Sequence, residues 1–352
     1  MSLKLVKLGF KFGNLLALTP AKIEQNGLAF PSKIYALLWI ILFSAGVSIS
    51  AFFRKAIYEK LTPVILTLRV AIDTLLFVLN ISTIIITATK RHQWNRFINI
   101  LKFLKNSNEK GDLFWFLPFL LTNVVFVVIF TYYTTIFAQR MGVDFFKYYA
   151  VEYFQFYAQF IVYYLIYVLC MILDRVQNLS KNIKLLKIQP NRLNNFALKR
   201  IKIIFFELEE CIDIFNNIFG WLILLLIGFC FLQQLSYLHN FIVGLQNPLP
   251  ILIFRIMYIT WHMVGTFISV FLCDLIQQRV KNMQMEAQQI AANCAEGKEY
   301  EDIKILEDPI NHSFPNFTAA RFFDLNRKTI LGVINALLTF LIVAIQFENI
   351  QI

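Results

Sequence analysis

Charged residues are scarce in this chain, 16% of 352 positions, against 58% hydrophobic. No soluble fold of this length covers so much apolar side chain with so little polar surface, so the chain reads as an integral membrane protein. Cysteine is thin as well: Cys170, Cys211, Cys230, Cys273 and Cys294 form no C-x-x-C pair, which argues against a zinc site and a disulfide framework. The four His, at 92, 239, 262 and 312, lack metal-ligand spacing, and there is no P-loop, nucleophile elbow or H-E-x-x-H. Neither enzymatic chemistry nor a cofactor or metal is expected. Acidic residues number 22 against 33 basic ones, but the Lys and Arg gather between apolar runs and build no nucleic-acid-binding module. A cleavable leader is not apparent: Lys4, Lys7, Lys11, Lys22 and Lys33 surround only a short apolar patch, leaving the first long apolar run as the insertion signal.

What the chain does have is seven apolar runs of the length that crosses a bilayer, about 20 residues each. They lie at 34–53, 64–89, 113–138, 146–173, 212–238, 251–276 and 329–350. The fold class is therefore all-α, a polytopic membrane protein with seven transmembrane helices. The second run opens at Pro63 and holds Arg69 and Asp73 four residues apart, a spacing at which the two charges neutralise each other locally. Lys and Arg are distributed 26 to 5 between alternate sides of the seven runs, with Arg69 and Arg255 inside them. By the positive-inside rule this predicts a cytosolic amino terminus and an extracellular carboxyl terminus, opposite to a G-protein-coupled receptor. The sequons at Asn80, Asn178, Asn311 and Asn316 then fall within a span or on the cytosolic side.

Helical patterning continues past the spans. Asp174 to Lys187 extends the fourth run, Leu193, Ala197, Ile201, Ile204 and Leu208 lead into the fifth, and Val280, Met283, Ala287 and Ile290 prolong the sixth. Glu296 to Asp308 reads as a flexible acidic loop, and Phe317 to Lys328 as an amphipathic piece entering the seventh run. The expected organisation is a cytosolic segment at 1–33, a six-helix ligand-binding bundle at 34–276, a cytosolic helical anchor and loop at 277–328, and a final helix at 329–352.

That final run contains Thr339-Phe340-Leu341-Ile342-Val343-Ala344-Ile345-Gln346-Phe347. It resembles the last helix of the insect gustatory receptors, which carries Thr-Tyr, five hydrophobic residues and Gln-Phe; here Phe340 replaces the Tyr. Ala319 to Arg327 also resembles that family's aromatic, acidic lead-in. The resemblance implies a homo- or heterotetrameric ligand-gated cation channel in the plasma membrane of sensory neurons, surrounded by membrane lipid, with the final helix lining a central pore. On that alignment Val343 stands at a hydrophobic gate, Ile342 shares the constriction, and Gln346 lies just outside it. From the residues alone, Thr339, Val343, Gln346 and Ile350 share a face that suits either a narrow conduit or ordinary helix packing.

Polar and aromatic residues also cluster in the expected outer halves of the spans. Amides, hydroxyls and rings at that density are costly in hydrocarbon unless they face protein or a water-filled cavity, which points to a small-molecule pocket. The candidates are Tyr132, Thr135, Tyr153, Tyr157, Gln234, Tyr258, Trp261 and His262. A sugar or polyol tastant suits such a lining, as does a bitter amphiphile, and single Tyr residues there also serve as interface anchors. Two other readings stay open: a secondary transporter using Arg69, Asp73 and Arg255, and a receptor signalling through a cytosolic partner.

Overall fold

The computed structural model describes residues 14, 17, 23–24, 27–28, 33–59, 61–104, 112–142, 165–184, 195–242, 249–294 and 314–350. A two-residue strand pair, β1 (Ile23–Glu24) and β2 (Gly27–Leu28), precedes the first long helix. The helices follow as α1 (Lys33–Tyr58), α2 (Pro63–Thr89), α3 (Arg91–Phe103), α4 (Asp112–Met141) and α5 (165–184). Then come α6 (Asn195–Ile242), α7 (Leu249–Cys294), a second hairpin of β3 (Thr318–Ala319) and β4 (Phe323–Asp324), and α8 (Arg327–Ile350).

Six of the seven expected spans fall wholly on helices, and the fourth does so over 165–173, its residues 146–164 lying outside the described set. Among the described residues, Lys33–Ala56, Ile65–Thr89, Lys199–Leu238 and Ile256–Ile290 are long and apolar enough to cross a membrane, and Val124–Ile136 is a shorter apolar stretch. The expected extensions of the fifth and sixth spans are part of single helices, α6 of 48 residues and α7 of 46. At 1.5 Å per residue each measures about 70 Å, more than twice the hydrocarbon thickness of a bilayer, so each projects well beyond it.

The helix α6 is the axis of the packing. It touches α2, α3, α7, β3 and α8, and buries Leu208, Cys211, Ile212, Phe215, Ile218, Phe219, Leu222 and Phe229. By contrast α1 leaves Ile34, Leu37, Leu38, Ile41, Leu42 and Phe52 exposed. Apolar side chains in that position need hydrocarbon around them, which places α1 at the bundle's lipid-facing edge.

Besides the β1–β2 pair, two elements were not expected from the sequence. The first is α3, whose Trp94, Phe97, Ile98 and Leu101 recur at three- and four-residue spacing and are all buried. Trp94 stands edge-on to Phe97 (6.2 Å) and to Phe219 of α6 (5.5 Å). Arg96 of the same helix donates from Nε and Nη2 to the Glu210 carboxylate (2.7 and 2.5 Å) and from Nη2 to Glu207 (3.1 Å). The Glu210 hydrogen bond, opposed by desolvation and helped by the charges of both glutamates, holds the guanidinium above its ordinary pKa.

The second is the β3–β4 hairpin. The amphipathic piece expected at Phe317 to Lys328 is a tight hairpin over 318–324, and α8 already begins at Arg327. Thr318 pairs with Asp324 and Ala319 with Phe323, and Phe322 N donates to Ala319 O (2.9 Å) across the turn. Ala320 and Arg321 take φ of 51° and 64°, the left-handed pair that a primed hairpin turn demands. Non-glycine residues occupy that region at a cost, and persist there only when the surroundings impose it.

Candidate functional site

Three places gather polar groups within the helical bundle. The first lies where α4, α6 and α7 meet. Phe126, Ile129 and Tyr133 of α4 and Tyr258 of α7 form a small buried cluster, onto which Tyr132, Tyr237 and Trp261 pack. His262 is buried beside it, its ring 4.4 Å from Tyr258 and 5.5 Å from Phe229 of α6. One turn along α6, Gln233 and Gln234 are both buried, and Gln233 Nε2 donates to Tyr237 Oη (3.2 Å). Of the expected ligand residues, Tyr132, Tyr258, Trp261 and His262 come together, and Gln234 sits on the adjoining stretch of α6. Thr135 does not share the cluster's interior: it is exposed, and its hydroxyl donates to Thr131 O (2.8 Å). Tyr153 and Tyr157 lie outside the described residues. Phe126 and Phe130, stacked at 6.4 Å, join the same wall; apolar residues in an apolar span carry no sequence signal that separates wall from packing.

The second place is between α1 and α2. Asp73 Oδ2 accepts from Tyr58 Oη (2.7 Å) and from Arg54 Nη1 (3.4 Å). Sequence spacing pairs Asp73 with Arg69 on its own helix, and leaves Arg54 in the loop after the first span. Arg54 lies within α1, its side chain only 5% exposed, and reaches across to the carboxylate. Beside them a cavity of about 220 Å³ is lined by Val47, Ser50, Ala51, Tyr58, Val70, Asp73, Thr74 and Phe77. Two charges held at that depth are supportable because each meets the other and a hydroxyl.

The third is α8. Thr329, Ile330 and Val333 face Ile227 and Cys230 of α6 and Thr266, Phe267 and Val270 of α7, and Leu337 is buried on the same side. The opposite side carries Leu331, Asn335, Leu338, Thr339, Ile342 and Gln346, all exposed in the single chain. Their three-, four- and seven-residue spacings place them in one sector of the helix. Thr339 Oγ1 donates to the Asn335 carbonyl (2.9 Å). Of the expected gate residues, Thr339, Ile342 and Gln346 thus share the exposed face; the side chain of Val343 is not among those described. Asn335, one turn from Thr339, joins that exposed face and precedes the motif that marks the others.

The family described as 7tm Chemosensory receptor matches residues 6–351. The fold is similar to that of the insect olfactory receptor OR5 from Machilis hrabei, with a TM-score of 0.71, 12% sequence identity and 98% of each chain covered. The structure of the same receptor in complex with eugenol gives a TM-score of 0.71 and 13% identity over 98% of each chain. No curated protein sequence matches the chain.

Proposed function

The chain belongs to the 7tm Chemosensory receptor family, and on that premise we propose that it is a gustatory receptor acting as a ligand-gated, non-selective cation channel. Families of this kind are receptors and not enzymes, and the apolar helices make the chain a membrane protein. The observation that carries the channel reading is the two-sidedness of α8. One face packs on α6 and α7; the other presents Asn335, Thr339 and Gln346 to the outside of the single chain. Three polar side chains on one face of an otherwise apolar span are costly against lipid, and are supportable against water or a neighbouring subunit.

One helix per subunit encloses no conduit, so this reading requires an oligomer, a homo- or heterotetramer on the family pattern. Ile342 and Val343 then form a hydrophobic constriction that gates by dewetting, with Thr339 and Asn335 on one side and Gln346 on the other. The positive-inside distribution supports a cytosolic amino terminus, which puts Gln346 toward the extracellular mouth. The tastant, a sugar, polyol or bitter compound, is placed among Tyr132, Gln234, Tyr258, Trp261 and His262, with Tyr153 and Tyr157 as further candidates. The solved relative that holds eugenol supports small-molecule binding by this fold. A plasma-membrane location in sensory neurons accords with that function.

Planar-bilayer recording from the purified chain tests the reading. Cation-selective unitary currents that a panel of sugars and bitter compounds increases are expected, with conductance altered by Gln346→Ala and Asn335→Ala. Silence of the wild type across that panel overturns it, as does a conductance unmoved by both substitutions.

A further inference from the structure

We infer that the β3–β4 hairpin is a rigid joint through which α6 and α7 set the position of α8, and that Asn216 and Asp274 are the positioning residues of that joint. For its effect on gating the inference rests on the channel reading; for the joint itself it rests on contacts alone.

The grip on α6 is centred on one side chain. Asn216 Nδ2 donates to Asn316 O (2.7 Å), and Asn216 Oδ1 accepts from Thr318 N (3.0 Å), so a single amide satisfies the backbone on both sides of the strand's start. A turn later, Gly220 lets the hairpin lie directly on the helix: a Cβ there would stand 3.0 Å from Ala320 N and 3.3 Å from Thr318 O. Phe317, fully buried, meets Phe215 edge-on at 5.0 Å, and Phe322 at the tip meets Trp221 at 5.9 Å. Arg321 Nη2 reaches Asn217 Oδ1 (3.5 Å).

The grip on α8 is equally short. Only Leu325 and Asn326 separate β4 from the helix. Leu325 is fully buried, and its N–H donates to Phe317 O (2.8 Å). Asn326 Oδ1 accepts from Lys328 N (2.9 Å) and Thr329 N (3.3 Å), capping the first turn of α8. Thr329 Oγ1 donates back to Asp324 O (2.7 Å). The third attachment is to α7: Arg327 Nε meets Asp274 Oδ2 at 2.9 Å, with Gln278 Nε2 on the same oxygen at 2.7 Å and the Phe271 ring 5.2 Å beneath the guanidinium.

No slack remains between these attachments. A shift or rotation of α6 against α7 must therefore be carried into the start of α8, whereas the exposed face of α8 holding Asn335, Thr339 and Gln346 has no part in the joint. Loosening the joint alters how often the conduit opens and leaves what passes through it unchanged.

The test uses the full chain reconstituted in lipid, with hydrogen exchange and single-channel recording on the same preparations without added ligand. Asn216→Ala is expected to speed exchange at residues 314–330 at least tenfold, and to change spontaneous open probability several-fold at constant unitary conductance and reversal potential. Asn216→Asp, which keeps the acceptor for Thr318 N, is expected to fall between, and serves if the Ala variant fails to fold. Asp274→Arg is expected to act like Asn216→Ala, and adding Arg327→Asp to restore wild-type behaviour. Wild-type exchange at 314–330 in Asn216→Ala overturns the joint, and altered conductance at unchanged open probability overturns its role in gating. A wild type that carries no current removes the channel reading alone; exchange and the charge-exchanged pair then decide the joint.

Discussion

At the scale of single residues, magnitudes separate contacts that look equally convincing. Gly220 sits inside a helix, where Ala is ordinarily favoured by about 1 kcal/mol. Its Cβ would meet the Ala320 backbone at 3.0 Å, and forcing such overlap costs about 1–3 kcal/mol. The clash wins, so Gly220→Ala is expected to lower the thermal midpoint measured by size-exclusion chromatography after heating. Arg96 makes three short hydrogen bonds, yet its side chain is 42% exposed, and ion pairs that wet contribute less than about 1 kcal/mol. Arg96→Ala should therefore shift that midpoint only slightly, and less still in high salt. Trp94→Ala on the same helix removes a buried ring, with an expected loss of about 3–5 kcal/mol. A larger effect for Arg96 than for Trp94 would refute that ordering.

At the scale of elements, α8 and the α4–α6–α7 cluster are expected to answer different assays. Gln346→Ala should change unitary conductance or block while leaving the concentration dependence of a tastant response nearly as it was. Trp261→Ala should do the reverse, and the opposite pattern would refute both assignments. The long helices were legible in the sequence because apolar runs above bilayer length have few alternative structures. The α3 repeat at Trp94, Phe97, Ile98 and Leu101 is in the sequence too, but the helix is only 13 residues long, far short of a span, and interleaves that repeat with basic residues. The hairpin was not legible: its strands are two residues long, and its left-handed pair is Ala320 and Arg321, where Gly or Asn would have signalled the turn. At the α4–α6–α7 cluster proposed to take the ligand, residue types alone single out Tyr132, Tyr258, Trp261 and His262, which pack together. The depth at which Thr135 turns away depends on helix rotation, which composition does not encode.

At the scale of the whole molecule, the chain is built around two helices of about 70 Å that pass through the membrane and continue as a scaffold beyond it. The shorter elements α3 and β3–β4 are fastened to α6 around Phe215 to Gly220, while the start of α8 is held by Asp274 of α7 and lies against Ile227 and Cys230 farther along α6. The helices α1 and α2 are joined to each other through Arg54, Tyr58 and Asp73, and α2 packs along α6. That arrangement bears on how the protein is made. A charged residue near the centre of a span raises the cost of entering the bilayer by about 2.5–3.5 kcal/mol on the insertion scale, and α2 carries both Arg69 and Asp73. If it left the translocon alone, Asp73 would enter lipid before Arg54 and Tyr58 could meet it. The two helices should therefore be released as a helical pair, so that in a glycosylation-mapping assay the segment 63–89 inserts more completely behind residues 33–62 than by itself. Arg54→Leu should remove that advantage, making the first helix an intramolecular insertion chaperone for the second.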